Sequence, residues 1–346
     1  MIGVGLTTST CLFAAAFLAS SFGVAIFIRW SRHRGLFDIP NERSSHSTPT
    51  PRGGGLVVVL VSLAGYLIVG FALGMPVSWG YVGGSLLVAF VSWLDDLYSL
   101  PFWSRLIFHV IAAGILMCDL GYWTGLYIPF VSGEADVGNT AGVLLTFAWV
   151  VWLLNAYNFM DGIDGIAALQ AVITCIAWAV LALILDIPSI FLFSGILASA
   201  SAGFLVHNWQ PAKVFMGDVG SAFLGFTLAA MPLLARPGRG ANASILPALG
   251  LLLVWFFIFD TVFTFFRRLI AGQRFWEAHR QHIYQKLVIS GWEHSRVALL
   301  YGLMSAAASA IALTAFRFSG IYRYLAFLSV FVLTSALVYL GARNKR

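Results

Sequence analysis

Residues 54 to 74 read GGLVVVLVSLAGYLIVGFALG, an unbroken stretch without a charged side chain. A helix rises about 1.5 Å per residue, so this stretch matches the roughly 30 Å hydrocarbon core of a bilayer. The rest of the chain repeats the pattern. Further apolar runs fall near residues 6–28, 79–94, 104–121, 141–157, 167–186, 189–206, 219–235, 245–266, 297–316 and 320–341. The expected fold is all-α, a polytopic transmembrane bundle of about eleven helices by the length rule, forming one integral membrane domain over residues 1–346.

Composition points the same way. Of 346 residues, 60% are hydrophobic and only 10% charged, with a mean hydropathy of +0.88; a soluble domain carries about a quarter charged residues. The net charge of +6 raises nucleic acid as a partner, but the basic residues sit in short segments between apolar runs, where they set topology. No nucleic acid is expected. Cys11, Cys118 and Cys175 lie inside apolar stretches without metal spacing and read as small buried hydrophobes. The first run has no basic residues before it, so it is read as a retained span rather than a signal peptide.

Assigning the connecting segments alternately to two sides splits the 20 Lys and Arg residues into sixteen and four. The smaller group is Arg236, Arg239, Arg317 and Arg323. The positive-inside rule then places the N-terminus outside and the C-terminus in the cytoplasm. The longest polar segments, 29–53 and 267–296, fall on the cytoplasmic side together with the acidic clusters.

The sharpest of these clusters runs from Asn155 through Asn158, Asp161 and Asp164 to Gly165. On a helix Asn155, Asn158 and Asp161 share a face, and their oxygens suit a hard cation such as Mg2+. Asp95 and Asp96 close the third span, with Arg105 following. Two adjacent carboxylates repel, so either a bound cation or nearby arginine lets them coexist or they form only a solvated helix end. Phe215, Gly217, Asp218, Gly220 and Ser221 open the eighth span. That N-terminus either presents backbone N–H groups to an anion or is an ordinary cap.

The loop with His279, Arg280, Gln281 and His282 can cradle phosphate by charge-assisted hydrogen bonds or serve only as a topology signal. Arg43, His46 and Arg52, ahead of the glycine run Gly53 to Gly55, can hold a lipid phosphate at headgroup level. A tight turn explains those glycines equally well.

In this order, from the Pro51–Gly55 turn to the His279 loop, the motifs resemble those of the polyprenyl-phosphate N-acetylhexosamine-1-phosphate transferases, the superfamily of MraY and WecA. The resemblance extends from Asp38 to Lys286. It implies a Mg2+-dependent enzyme, with Mn2+ as a substitute, in which Asn158 and Asp218 ligate the metal. It gives catalytic roles to Asp95, Asp96, Asp161, Arg105, His279 and Arg280, and substrate binding to Asn155, Asp164, Phe215, Arg43, His46, Arg52 and His282. The implied partners are UDP-N-acetylhexosamine, undecaprenyl phosphate and membrane lipids, in a bacterial inner membrane, with a homodimer allowed.

Members similar to MraY carry consecutive histidines in the last loop. The His279-Arg280-Gln281-His282 sequence departs from that and resembles the O-antigen-initiating branch. None of the motifs reads C4 or C6 of the sugar, and the loop 267–296 is the expected selectivity element. The rival reading is a transporter or lipid flippase. Transporters place ionisable groups near the bilayer midplane, whereas here they gather at the ends of spans.

Overall fold

A computed structural model describes residues 5–40, 48–128, 133–235, 244–273, 280–318 and 321–343. Its helices are α1 (Leu6–Arg34), α2 (Gly55–Leu73), α3 (Trp79–Tyr98), α4 (Phe102–Leu120), α5 (Gly138–Met160), α6 (Ile166–Ile184), α7 (Pro188–Asn208), α8 (Gly217–Leu234), α9 (Leu246–Leu253), α10 (Trp255–Ile270), α11 (Ile283–Ile289), α12 (His294–Arg317) and α13 (Ile321–Arg343). Two short antiparallel hairpins complete the described residues: β1 (Phe37–Asp38) with β2 (Thr50–Pro51), and β3 (Gly125–Ile128) with β4 (Gly133–Asp136).

Each expected apolar run is a helix or, for 245–266, a helix pair. Among the described residues 9 helices are individually long and apolar enough to cross a membrane, or 10 if α9 and α10 count as one broken span. The helix that falls short of the expected eleven is α3, whose last turns carry Asp95 and Asp96 and lower its hydropathy. The molecule is an all-α polytopic membrane bundle.

The α9–α10 break bends by 78° at Val254, without proline or glycine there. Breaking a helix in a membrane frees carbonyls that lipid cannot satisfy. Gln170 Nε2 and Thr174 Oγ1 on α6 both donate to Leu253 O at 3.0 Å, and Ser305 on α12 donates to Gln170 Oε1. The kink is thus fixed by side chains far away in sequence.

Among the qualifying spans α8 is the most enclosed, packed on α2, α3, α5 and α9. Lipid is as apolar as leucine, so helices associate there by close packing and interhelical hydrogen bonds. At the α2–α8 crossing a Cβ on Gly55 would lie 2.4 Å from Gly220 Cα, so only glycine fits. On α7, Gly203 lets the α1 backbone approach, and Ser20 of α1 donates to Ala200 O at 2.6 Å.

Cys175 is buried as expected, but Cys11 and Cys118 are exposed on the outside of the bundle. An apolar run in a membrane helix has a lipid-facing side as well as a core side, and those two cysteines occupy it.

Candidate active site

One end of the bundle gathers the sequence motifs. Asp218, at the start of α8, is the centre. Its Oδ1 pairs with Arg52 at 2.7 Å, and its Oδ2 accepts from Arg105 and from Asn158 Nδ2, each at 3.1 Å. Arg52 also pairs with Asp96 at 2.8 Å, and Arg105 with Asp95 at 2.6 Å. Two guanidiniums therefore lie among three carboxylates drawn from α3 and α8.

Asp96 has a second duty. Its carboxylate accepts from the backbone N–H groups of Asp218 and Val219, at 2.9 and 3.1 Å. The α8 N-terminus is therefore capped by the protein's own anion, so of the two readings of this N-terminus the structure matches the cap, with Asp96 of α3 supplying it. The partial positive charge there favours any carboxylate, and α3 supplies one. Asp95 is also committed, with Oδ1 accepting from Leu100 N at 2.6 Å and Oδ2 held by Arg105.

Asn158 is oriented from the far side, because Ser221 Oγ donates to its Oδ1 at 2.7 Å. Asn155, one turn earlier on α5, points elsewhere. Its amide donates to Val151 O at 2.7 Å, and it lines an apolar cavity. Asp161 follows the end of α5 and has no ion-pair partner among the described residues. Burial, and after it the charge of Asp218, push its carboxyl well above the ordinary range. Two arginines thus stand among four carboxyl groups, and the crowding by Asp218 is part of what raises Asp161.

Asp164 takes different partners. It accepts from Ala212 N at 3.1 Å, and its Oδ1 lies 3.3 Å from His294 Nδ1. Phe215 contributes through its backbone: its N–H donates to Pro51 O at 2.8 Å, and its carbonyl accepts from Gly54 at 3.0 Å. Gly55 donates to Met216 O at 2.8 Å. With Gly53 at φ +94°, these bonds favour the tight-turn explanation of the glycine run, and the same segment carries Arg52 to Asp218.

The last loop is tied to the asparagine motif. Tyr284 Oη donates to Phe159 O at 2.9 Å, and the His282 ring stacks on Phe159. His282 itself is buried, with Nδ1 3.3 Å from Asp260 Oδ1. Asp260 escaped the sequence reading. It is fully buried on α10 and accepts from Ile283 N, Tyr284 N, Thr264 and Tyr301 as well. A carboxylate inside an apolar span was the available signal. Arg280 lies just ahead of α11, within electrostatic reach of Tyr284. Arg43, His46 and His279 lie outside the described residues.

Two apolar cavities lead away from the cluster. The nearer, about 350 Å³, has Asn155 and His282 at its polar end and Phe102, Leu106 and Phe265 along its sides. The larger, about 720 Å³, extends past Trp149, Trp255 and Phe327 towards Tyr127 on β3. They share Ala148, Trp152 and Phe265, so together they form one groove beside α5 and α10.

The described residues contain no group of three His, Cys, Asp or Glu side chains able to enclose a metal. Mg2+ seldom needs one, because it keeps waters and takes one or two carboxylates plus substrate phosphates. Asp218 and Asn158 offer hard oxygens of the kind that requirement asks for, which a cation would take over from their present partners Arg52, Arg105 and Ser221.

The family model described as "Glycosyl transferase family 4" matches residues 78–236, which include Asp95, Asp96, Arg105, the asparagine motif and Asp218. Decaprenyl-phosphate N-acetylglucosaminephosphotransferase of Mycobacterium tuberculosis is 32% identical over 77% of this chain and 72% of its own length. A Bacillus subtilis protein named "Probable undecaprenyl-phosphate N-acetylglucosaminyl 1-phosphate transferase" is 31% identical over 78% and 74%. Phospho-N-acetylmuramoyl-pentapeptide-transferase of Listeria monocytogenes is 28% identical over 84% and 92%. With its ordered motifs gathered at one end of a membrane bundle, the chain belongs to the polyprenyl-phosphate N-acetylhexosamine-1-phosphate transferase family, the superfamily of MraY and WecA.

Proposed function

We propose that this chain transfers an N-acetylhexosamine 1-phosphate from a UDP-sugar to undecaprenyl phosphate, releasing UMP, as the initiating step of O-antigen or a related envelope polysaccharide. The observation that carries this reading is a cluster of arginines and carboxylates next to the polar end of an apolar groove. The groove suits a polyprenyl tail, and the cluster suits phosphates. The sixteen-to-four split of the 20 basic residues supports a site at the cytoplasmic face of a bacterial inner membrane.

A lipid phosphate oxygen attacks the sugar-bearing phosphorus. A new P–O bond forms, the P–O bond to uridylate breaks, and UMP leaves with the electron pair. A phosphate monoester has its second pKa near 6, so the nucleophile is largely ionised at neutral pH without a base. Asp95, whose two oxygens are engaged, then serves to hold Arg105.

Phosphoryl transfer depends on positioning and charge neutralisation. Arg52 and Arg105, now paired with carboxylates, exchange those partners for phosphate oxygens, and Arg280 approaches from the last loop. Asp218 and Asn158 would hold Mg2+, or Mn2+ in its place, which supplies neutralisation of the diphosphate. Asp161 and Asp164 lie towards the nucleotide, and the 267–296 loop selects the sugar.

The test is UMP release from UDP-N-acetylglucosamine and related UDP-sugars by purified protein given undecaprenyl phosphate and Mg2+. Release that requires the lipid phosphate is expected. No release from any UDP-N-acetylhexosamine, with transport of lipid instead, would replace this reading with the flippase.

A further inference from the structure

Helix α4 carries a histidine that the reaction above leaves unused. His109 is 3% exposed, and neither ring nitrogen has a hydrogen-bond partner among the described residues. Buried polar groups are nearly always matched. Two nitrogens without a well-formed partner on one ring therefore mark a place where a small rearrangement of a neighbouring side chain completes a bond.

The position of the ring indicates which side chain that is. His109 follows Arg105 by one helical turn, and Arg105, His109, Ala112 and Leu116 fall on one side of α4. Arg105 holds Asp95 and Asp218, so the ring stands behind the charged cluster. Its polar neighbour on α5 is Asn155, which approaches without completing a hydrogen bond. Asn155 spends its amide on Val151 O of its own helix while forming part of the polar end of the groove. Thus one side chain touches both the empty histidine and the space where a lipid headgroup would sit.

We propose that His109 is a positioning residue for the polyprenyl phosphate, acting through Asn155. When the headgroup arrives, the Asn155 carbonyl accepts from the His109 ring N–H, and its amide turns from Val151 to a phosphate oxygen. A side-chain bond back to the same helix is a weak local alternative, whereas an amide bond to an ionised phosphate is charge-assisted and stronger. His109 keeps the asparagine oxygen paired after the turn. Without that donor the oxygen would lose its partner, and the headgroup contact would weaken.

This inference rests on the transferase reading, and its test separates the two. Initial rates are measured against undecaprenyl phosphate and against UDP-N-acetylglucosamine for the wild type, His109→Leu and His109→Gln, with thermal unfolding of each. In His109→Leu the KM for lipid phosphate rises about tenfold while that for the nucleotide sugar stays within about twofold, the loss of one charge-assisted contact. The same variant unfolds at or above the wild-type temperature, because two unmatched buried nitrogens are gone. His109→Gln keeps an N–H donor and brings the lipid KM back to within about threefold of wild type.

An unchanged lipid KM in His109→Leu, an equal rise in both KM values, or a stability loss that tracks the KM change would each overturn the inference alone. A wild-type protein that releases no UMP would overturn the transferase reading and this inference with it.

Discussion

Asp218 and Asp260 are both enclosed aspartates near the candidate site, and they are held in opposite ways. Asp260 accepts from two backbone N–H groups, two hydroxyls and the His282 ring, all delivered by helix ends and packed side chains. Asp218 is held mainly by Arg52 and Arg105, long side chains that are 37% and 27% exposed and that each grip a second carboxylate. A carboxylate saturated by fixed donors is an anchor. One held by movable guanidiniums that are shared with other carboxylates can give those guanidiniums up to a phosphate.

That contrast can be broken at its weaker members. Arg105→Ala leaves Asp95 and Asp218 without a shared cation and removes the phosphate contact proposed for it, so kcat/KM falls by about 3 kcal/mol, or roughly two decades. Steady-state UMP release measures it; a fall of less than about threefold would remove Arg105 from the site. Arg280→Ala loses one charge-assisted phosphate contact, costing about 1.5–3 kcal/mol, or roughly one to two decades in UDP-sugar use. If membrane insertion suffers and turnover per inserted molecule does not, the loop is a topology signal.

Ala148→Phe narrows the groove where its two cavities meet. It should raise the KM for undecaprenyl phosphate about tenfold, roughly 1.4 kcal/mol, and leave that for the nucleotide sugar unchanged. Comparable KM shifts for both substrates would argue against the groove as the lipid seat. The smallest effect belongs to Tyr284→Phe, which deletes the bond to Phe159 O and should cost about 1 kcal/mol of stability by thermal unfolding in detergent.

The comparison also shows what a sequence can reveal. The spans were legible because bilayer thickness imposes a length that local composition reports. The cluster was legible because Asp95, Asp96, Asn158, Asp161 and Asp218 are polar residues that an apolar chain places at helix ends. Asp260 was missed because it is a lone acid within an apolar run, and its donors come from residues 264 to 301.

The capping of α8 by Asp96 joins positions separated by 122 residues. No local pattern announces such a bond. The α9–α10 break was equally silent, since Leu253 and Val254 carry no breaking signal and the stabilising groups are Gln170 and Thr174. His109 could be seen in the sequence, but its two unpartnered nitrogens emerge only once the helices are assembled.

The measurement that tests the account most directly compares Asp218→Asn with Asp260→Asn, reading UMP release per folded molecule and thermal stability in the same preparations. Asp218→Asn keeps the shape but removes the charge proposed to hold Mg2+, so turnover should fall by at least about 100-fold, or roughly 2.7 kcal/mol, while the unfolding temperature stays near wild type. Asp260→Asn turns an acceptor into a donor against the Tyr284 N–H and the Tyr301 hydroxyl or their counterparts. It should lose about 3 kcal/mol of stability and retain turnover within about tenfold in the folded fraction. Near-normal UMP release by Asp218→Asn, or a loss of activity in Asp260→Asn that matches it without loss of stability, would contradict the assignment of the reaction centre to the arginine-bound carboxylate.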